Sequence, residues 1–448
     1  MSDPIARDPA VRKLPSQLLV MPGDEAVSIT TLPSGLRIVS ERMNHASTVS
    51  LGVWISAGSR DEADDQHGLA HLLEHMAFKG TARRSARQIA EEIEAVGGDI
   101  NAATSIEYTC YTARTLEEDL PLAVDILADI LLRSSFAADE LAREKGVILQ
   151  EIAAVEDTPD DLVYDMFMAR VFADQPLGRP ILGTPDTVNA FDAVAIRAYL
   201  DQHYTGARMV LAAAGAVNHD RLVQLASAAF AALPGGQNIA ARPSGLANYT
   251  GGETRRVLKT DQSHLVLGFR GQAFTGGGHY PLQVLATVMG GGLSSRLFQE
   301  VREARGLAYA IDAFHWAFTD TGVFAIGAGT APKDIPELVR VCMHSLRDAG
   351  QTISEAEVQR ARAQMKVGLL GALETPGGRV EQLARQVLTF GRVMERKEIA
   401  ARIDGVSAAD VRQAALGVLA SPPTLAMVGP RIKASDLKLA DLTASGAH

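Results

Sequence analysis

The order of segments in this chain occurs twice, and that repetition limits the fold more than any single motif. The first passage starts at the alternating stretch "TVSLGVWISAG". It continues through a histidine-bearing segment, the helix "SARQIAEEIEAVGG" and strands within "DINAATSIEYTCYTAR" to the apolar helix "LPLAVDILADILL". The second starts at "HLVLGFRG". It continues through "YPLQVLATVMGGG", "SSRLFQEVREARGLAYA" and "IDAFHWAFTDTGVFAIGAG" to "IPELVRVCMHSLRDA". One order of periodicities met twice predicts a tandem duplication. Between the copies, residues 233–253 are rich in Gly, Pro, Asn and Ser and lack an apolar period, as a linker does. The expected domains are therefore 25–232 and 254–445. Alternating strands with helices in runs predict an α+β class, each domain a mostly antiparallel or mixed sheet covered by helices.

Composition narrows the function. A net charge of −10 over 448 residues argues against nucleic acid and against an anionic membrane surface. Runs such as "MVLAAAGAV" fall far short of the roughly 20 apolar residues a spanning helix needs, so no membrane insertion is expected. Two cysteines do not make a disulfide framework, and the first residues lack the apolar core of a signal peptide. The expectation is a cytoplasmic protein.

The segment "HGLAHLLEHMAFKGT" (67–81) holds three of the chain's 11 histidines. On a helix over 68–78, Leu69, Leu72, Leu73 and Met76 share one face; His71, Glu74, His75 and Phe78 share the other. Imidazoles at i and i+4 come within reach of one ion, and a catalytic zinc takes three protein ligands. The five-residue pattern also suits a polar, solvated face, so context must decide. His67, near the helix start, reads as a surface or capping residue. In the second copy the matching positions are Leu282, Leu285 and Ala286, so any such site exists once.

A third ligand should stand out as a charge in the wrong place. In "DELAREKGVILQEIAAVEDT", Leu141, Ile148, Ile152 and Val155 form an apolar stripe, and Glu144 and Glu151 fall inside it. Carboxylates on a buried face need a cation or donors. An edge helix whose glutamates reach water would carry the same pattern.

Together these segments resemble the pitrilysin (M16) family of zinc peptidases, the inverted zincins. His71-x-x-Glu74-His75 followed 76 residues later by Glu151 is that family's spacing. "GLAHLLEHMAFKGT", "GGDINAATSIEYTCY" and "EKGVILQEI" are similar to it as well. The likeness spans nearly the whole chain and is strongest to mitochondrial processing peptidase β-subunits and their bacterial relatives. It implies that His71, His75 and Glu151 hold one zinc ion per chain, Glu74 acts as general base, and Glu144 supports the site without ligating. It implies that a peptide adds as a strand beside Asn101, Ala102 and Ala103, with Phe78 lining the pocket for the residue after the cut.

In the second copy, "EVREARGLAYA" resembles the family's Arg and Tyr pair, which assigns Arg302 to a substrate carbonyl and Tyr309 to the oxyanion. By the same likeness, two domains make half of a clamshell. The implied partner is a second chain, either in a homodimer or in a heterodimer with a zinc-less homologue. The segment "MGGGLSSRLF" is shorter than the glycine-rich loop of α-type subunits, which argues against an α-type role. The function implied is a zinc-dependent metalloendopeptidase for short or unfolded peptides, with basic ones favoured by the charge. The rivals are a non-catalytic scaffold subunit on the same fold and a zinc hydrolase for non-peptide amides.

Overall fold

The structure, a computed structural model, describes residues 26–236 and 247–430. Residues 237–246 of the expected linker, and the expected domain limits at 25 and 445, lie outside the described residues. The chain forms two units. Among the described residues, one takes 26–236 and 247–250 together with 371–393; the other takes 251–370 and 394–430.

The first unit is built on a six-stranded mixed sheet. Its strands are β1 (Ser28–Thr31), β2 (Arg37–Arg42), β3 (Thr48–Ile55), β4 (Asp99–Thr104), β5 (Thr109–Leu116) and β6 (Met209–Gly215), in the order β1-β2-β6-β3-β5-β4. Only β2 and β6 run parallel; the other pairs are antiparallel. One face carries α1 (Leu69–Ala77), α2 (Ala86–Ala95), α3 (Leu120–Leu132) and α4 (Ala138–Glu156), which bury Leu72, Met76, Ile93, Leu127 and Ile148 against Leu51, Val53 and Tyr111.

β3 alternates in sequence as expected, yet both its faces are covered. Val49, Leu51, Val53 and Ile55 meet the helices above. On the opposite face Trp54, with Val39 of β2 and Val210 of β6, packs against Val380, Leu383 and Val387 of the helix Pro376–Phe390. The expected second domain therefore gives up residues 371–393 to the first unit. Apolar burial on this face drives the exchange, since an exposed Trp and Val surface of a sheet would cost roughly 25 cal/mol per Å². A buried ion pair between Glu41 of β2 and Arg379 fixes the helix on it.

The second unit repeats the design. Its strands are β7 (Gly252–Val257), β8 (Ser263–Arg270), β9 (Ala308–Ala317), β10 (Gly322–Thr330) and β11 (Thr424–Gly429), in the order β7-β11-β8-β10-β9. Again one pair is parallel, β7 with β11, and the others are antiparallel. Strand for strand this matches β2-β6-β3-β5-β4, so the duplication read from the sequence is a duplication of topology. The helix His279–Gly290 occupies the place of α1. Its Leu282, Leu285 and Ala286 are buried in the second core, where α1 carries His71, Glu74 and His75.

Candidate metal centre

α1 starts at Gly68, whose φ of +94° is a left-handed conformation that favours glycine; a Cβ there would also stand 2.7 Å from the Gly183 Cα. With no side chain at that position to cap the helix, Glu62 does so from the preceding loop. Its two carboxylate oxygens accept from Gly68 N at 2.9 Å and Ala70 N at 2.7 Å. The apolar face of α1, including Leu69, Leu72, Leu73 and Met76, is buried in the first core. That burial fixes the helix rotation and turns His71, Glu74 and His75 to the opposite, half-exposed side.

α4 packs across α1 and delivers Glu151. Its Oε2 lies 3.8 Å from His71 Nε2 and 3.7 Å from His75 Nε2. These distances are too long for hydrogen bonds. Two ligands each about 2.0–2.1 Å from one tetrahedral ion would stand about 3.3 Å apart, so the spacing suits a shared ion. Glu151 Oε2 is buried with no hydrogen-bond partner, and the three ligand atoms lie within 4.8 Å of one another. Among the described residues this is the one such group of His, Cys, Asp or Glu side chains. An orphaned buried carboxylate oxygen facing two imidazole nitrogens is a donor set that fits zinc. Burial, with a smaller contribution from neighbouring His75, pushes the His71 pKa down to about 4. Its ring is neutral near pH 7 and has a lone pair to offer.

Glu144 stands behind the group. Its Oε2 is 3.1 Å from His75 Nδ1, and its Oε1 accepts from Lys79 Nζ at 2.8 Å. A His75 Nδ1–H donated to this carboxylate leaves Nε2 unprotonated on the Glu151 side. Glu74 points the same way as the histidines, and its Oε2 accepts from Thr104 Oγ1 at 2.6 Å.

The other expected site residues fall as follows. Asn101, Ala102 and Ala103 lie on β4, which among the described residues ends the sheet and pairs only with β5. Asn101 Oδ1 accepts from Ala102 N at 2.9 Å. Phe78 follows the last turn of α1 and packs against the core, its ring 6.3 Å from that of Tyr111. His67 is buried rather than a surface residue. Its Nε2 bonds the Pro180 carbonyl at 2.7 Å, which removes that nitrogen as a ligand. In the second unit, Arg302 belongs to a π-helical turn, Phe298–Glu303, and its guanidinium lies 4.5 Å over the Tyr309 ring. Tyr309 is 79% exposed on β9, the end strand of its sheet.

Three contributors escaped the sequence reading: Glu62, Lys79 and Thr104. For Thr104 a signal existed. The alternation of β4 puts Ile100, Ala102 and Thr104 on one side, and Ile100 and Ala102 pack against the core under the helices.

The sequence profile of the insulinase peptidases, peptidase family M16, matches residues 37–185, and that of the M16 inactive domain matches 190–365. An uncharacterized zinc protease of Streptomyces coelicolor is 41% identical over 417 residues, covering 91% of this chain and 90% of that protein. The uncharacterized zinc protease YmxG of Bacillus subtilis is 36% identical over 403 residues, covering 89% of this chain and 97% of its own. Among solved structures, a protease from Helicobacter pylori has a TM-score of 0.83 at 21% identity, covering 90% of this chain and 99% of that one. A peptidase M16 inactive domain from Pseudomonas fluorescens has a TM-score of 0.85 at 19% identity, covering 91% and 98%. Those two show the shared fold, and the two more similar sequences carry the kinship over nearly the whole length. On a matched profile in each half and relatives above 35% identity, the chain belongs to the insulinase family of peptidases, family M16.

Proposed function

We propose that the protein is a zinc-dependent metalloendopeptidase that hydrolyses short or unfolded peptides. The observation that carries this reading is the joint presence of the His71, His75 and Glu151 group, with Glu74 beside it, and the unpaired edge of β4 in the same unit. His71, His75 and Glu151 would hold the ion. When bound, zinc acts as a Lewis acid that polarises a peptide carbonyl and makes water a stronger acid. An extended peptide pairs with the free edge of β4 through its backbone, so recognition depends on chain shape more than on one side chain. Glu74 orients a water molecule through the oxygen not engaged by Thr104 and accepts its proton as the oxygen attacks the carbonyl carbon. The same carboxylic acid then returns the proton to the leaving nitrogen as the C–N bond breaks.

Arg302 and Tyr309 complete the proposal. The stacked pair sits on an exposed edge of the second unit, and we assign it to substrate carbonyl and oxyanion in a dimer whose two chains build each site. A homodimer is favoured over a zinc-less partner because this one chain carries both sets of residues. Among the described residues, no helix is long and apolar enough to cross a membrane. With both cysteines free, we place the protein in the cytoplasm.

The test is cleavage of a mixed peptide pool by the purified chain alone, read by mass spectrometry with and without a chelator. Cuts that require the metal and vanish in Glu74→Gln, while zinc content stays at one per chain, are expected. Cleavage that survives Glu74→Gln would end this mechanism. Zinc bound without any cleavage would point to a missing partner chain or a scaffold role.

A further inference from the structure

The contact between Thr104 and Glu74 links two parts of the site that the sequence keeps 30 residues apart. Resting on the reading of Glu74 as general base, we infer that Thr104 is a positioning residue through which the substrate-receiving strand orients that base.

Thr104 is the last residue of β4, next to Ala103 and paired with Thr109 of β5. Its hydroxyl has one proton to give. The near acceptor is Glu74 Oε2 at 2.6 Å; the Ala70 carbonyl, at 3.4 Å, is the far one. A short bond to a charged oxygen is among the stronger neutral-to-ion contacts. It has two effects on a carboxylate whose task is proton transfer. It fixes the torsion of the Glu74 side chain, and it saturates one oxygen, leaving the other to exchange a proton with water. The stem of Glu74 stands on α1, so α1 supplies the base and β4 supplies its orientation.

The strand that holds the hydroxyl is also the one whose free edge pairs with the peptide. A peptide that seats on β4 therefore braces the backbone on which Thr104 stands. Binding energy along the strand is then expressed at the reacting centre as turnover, beyond simple affinity. A threonine with a purely structural role at the strand end would show no such link.

The variant Thr104→Val keeps the shape and removes the hydroxyl; Thr104→Ser keeps the hydroxyl. On the zinc-loaded full chain, Thr104→Val is expected to lower kcat by about 10–100-fold, with KM and zinc content unchanged, and Thr104→Ser to stay within about threefold of the parent. A second readout needs no turnover. In chelator-stripped protein, the thermal unfolding shifts of Thr104→Val and Glu74→Ala should be non-additive in the double variant, since each removes the same Thr104–Glu74 hydrogen bond. If Thr104→Val folds poorly, Thr104→Ala takes its place in both measurements. Full turnover in Glu74→Gln would overturn the base and this inference together. Loss of turnover in Glu74→Gln alongside parental kcat in Thr104→Val would overturn this inference alone, as would additive unfolding shifts or a change confined to KM.

Discussion

At the scale of single residues, the row Lys79, Glu144, His75 bears on the proposed zinc site, because it fixes one of the two imidazoles. Lys79 and His75 occupy different oxygens of one buried carboxylate, so each oxygen of Glu144 has its own partner. Glu144→Gln should weaken zinc affinity by about 10–100-fold while leaving the three ligands in place, measured by competition with a chromophoric chelator. An unchanged affinity would mean that His75 needs no fixed tautomer. Glu144 was legible in the sequence because a charge within an apolar stripe demands a partner. Lys79 and Glu62 were not, because each is an ordinary polar residue until the fold brings its partner to it; for Thr104 only the alternation of β4 gave a sign. Phe78, which helical phase places on the histidine face, follows the last turn of α1, and its partly buried ring packs against the core.

At the scale of elements, the faces of α1 and α4 followed from periodicity alone. The cover over β3 did not, because the helix responsible lies more than 300 residues downstream. The second unit has its own polar clamp. Arg296 binds both oxygens of Glu357, at 2.7 and 3.1 Å, and also Asp348 at 2.9 Å. Ser354, just before the helix Glu355–Leu373, donates both its N–H and its hydroxyl to Glu357 at 2.8 Å. Burial works to raise the Glu357 pKa, but the Arg296 guanidinium and the Ser354 donors outweigh it and hold the group down to about 2. A carboxyl depressed in the folded state stabilises at pH values above its unfolded pKa near 4.5, and that contribution fades as pH falls towards 2. Glu357→Gln should therefore lower the unfolding temperature by a constant amount above about pH 5, with the gap closing between about pH 4.5 and 2. Calorimetry across that range checks it; a gap that persists at pH 2 would assign the effect to packing instead.

At the scale of the whole chain, the repeat of segments was legible because each copy carries its own apolar periods, and the second sheet repeats the order of five of the first sheet's six strands. What the repeat could not reveal is that the copies are not self-contained. A fragment ending at residue 250 lacks Val380, Leu383, Val387 and Arg379, and so bares the Trp54 face of its sheet and leaves Glu41 without that arginine. Such a fragment should be largely insoluble when made alone, and a separate peptide spanning 371–393 should recover part of it in sedimentation assays. A soluble, monomeric fragment would show that the helix is dispensable for the first sheet. The same arrangement sets a timetable for synthesis. Chains emerge from the ribosome with the amino end first, and domains usually fold in that order. Here the part made first cannot close until nearly nine-tenths of the 448 residues have been translated. A nascent chain that stalls midway therefore carries an unfinished first unit, and the organism's chaperones meet an exposed tryptophan face before the half of the molecule that bears His71, His75 and Glu151 is complete.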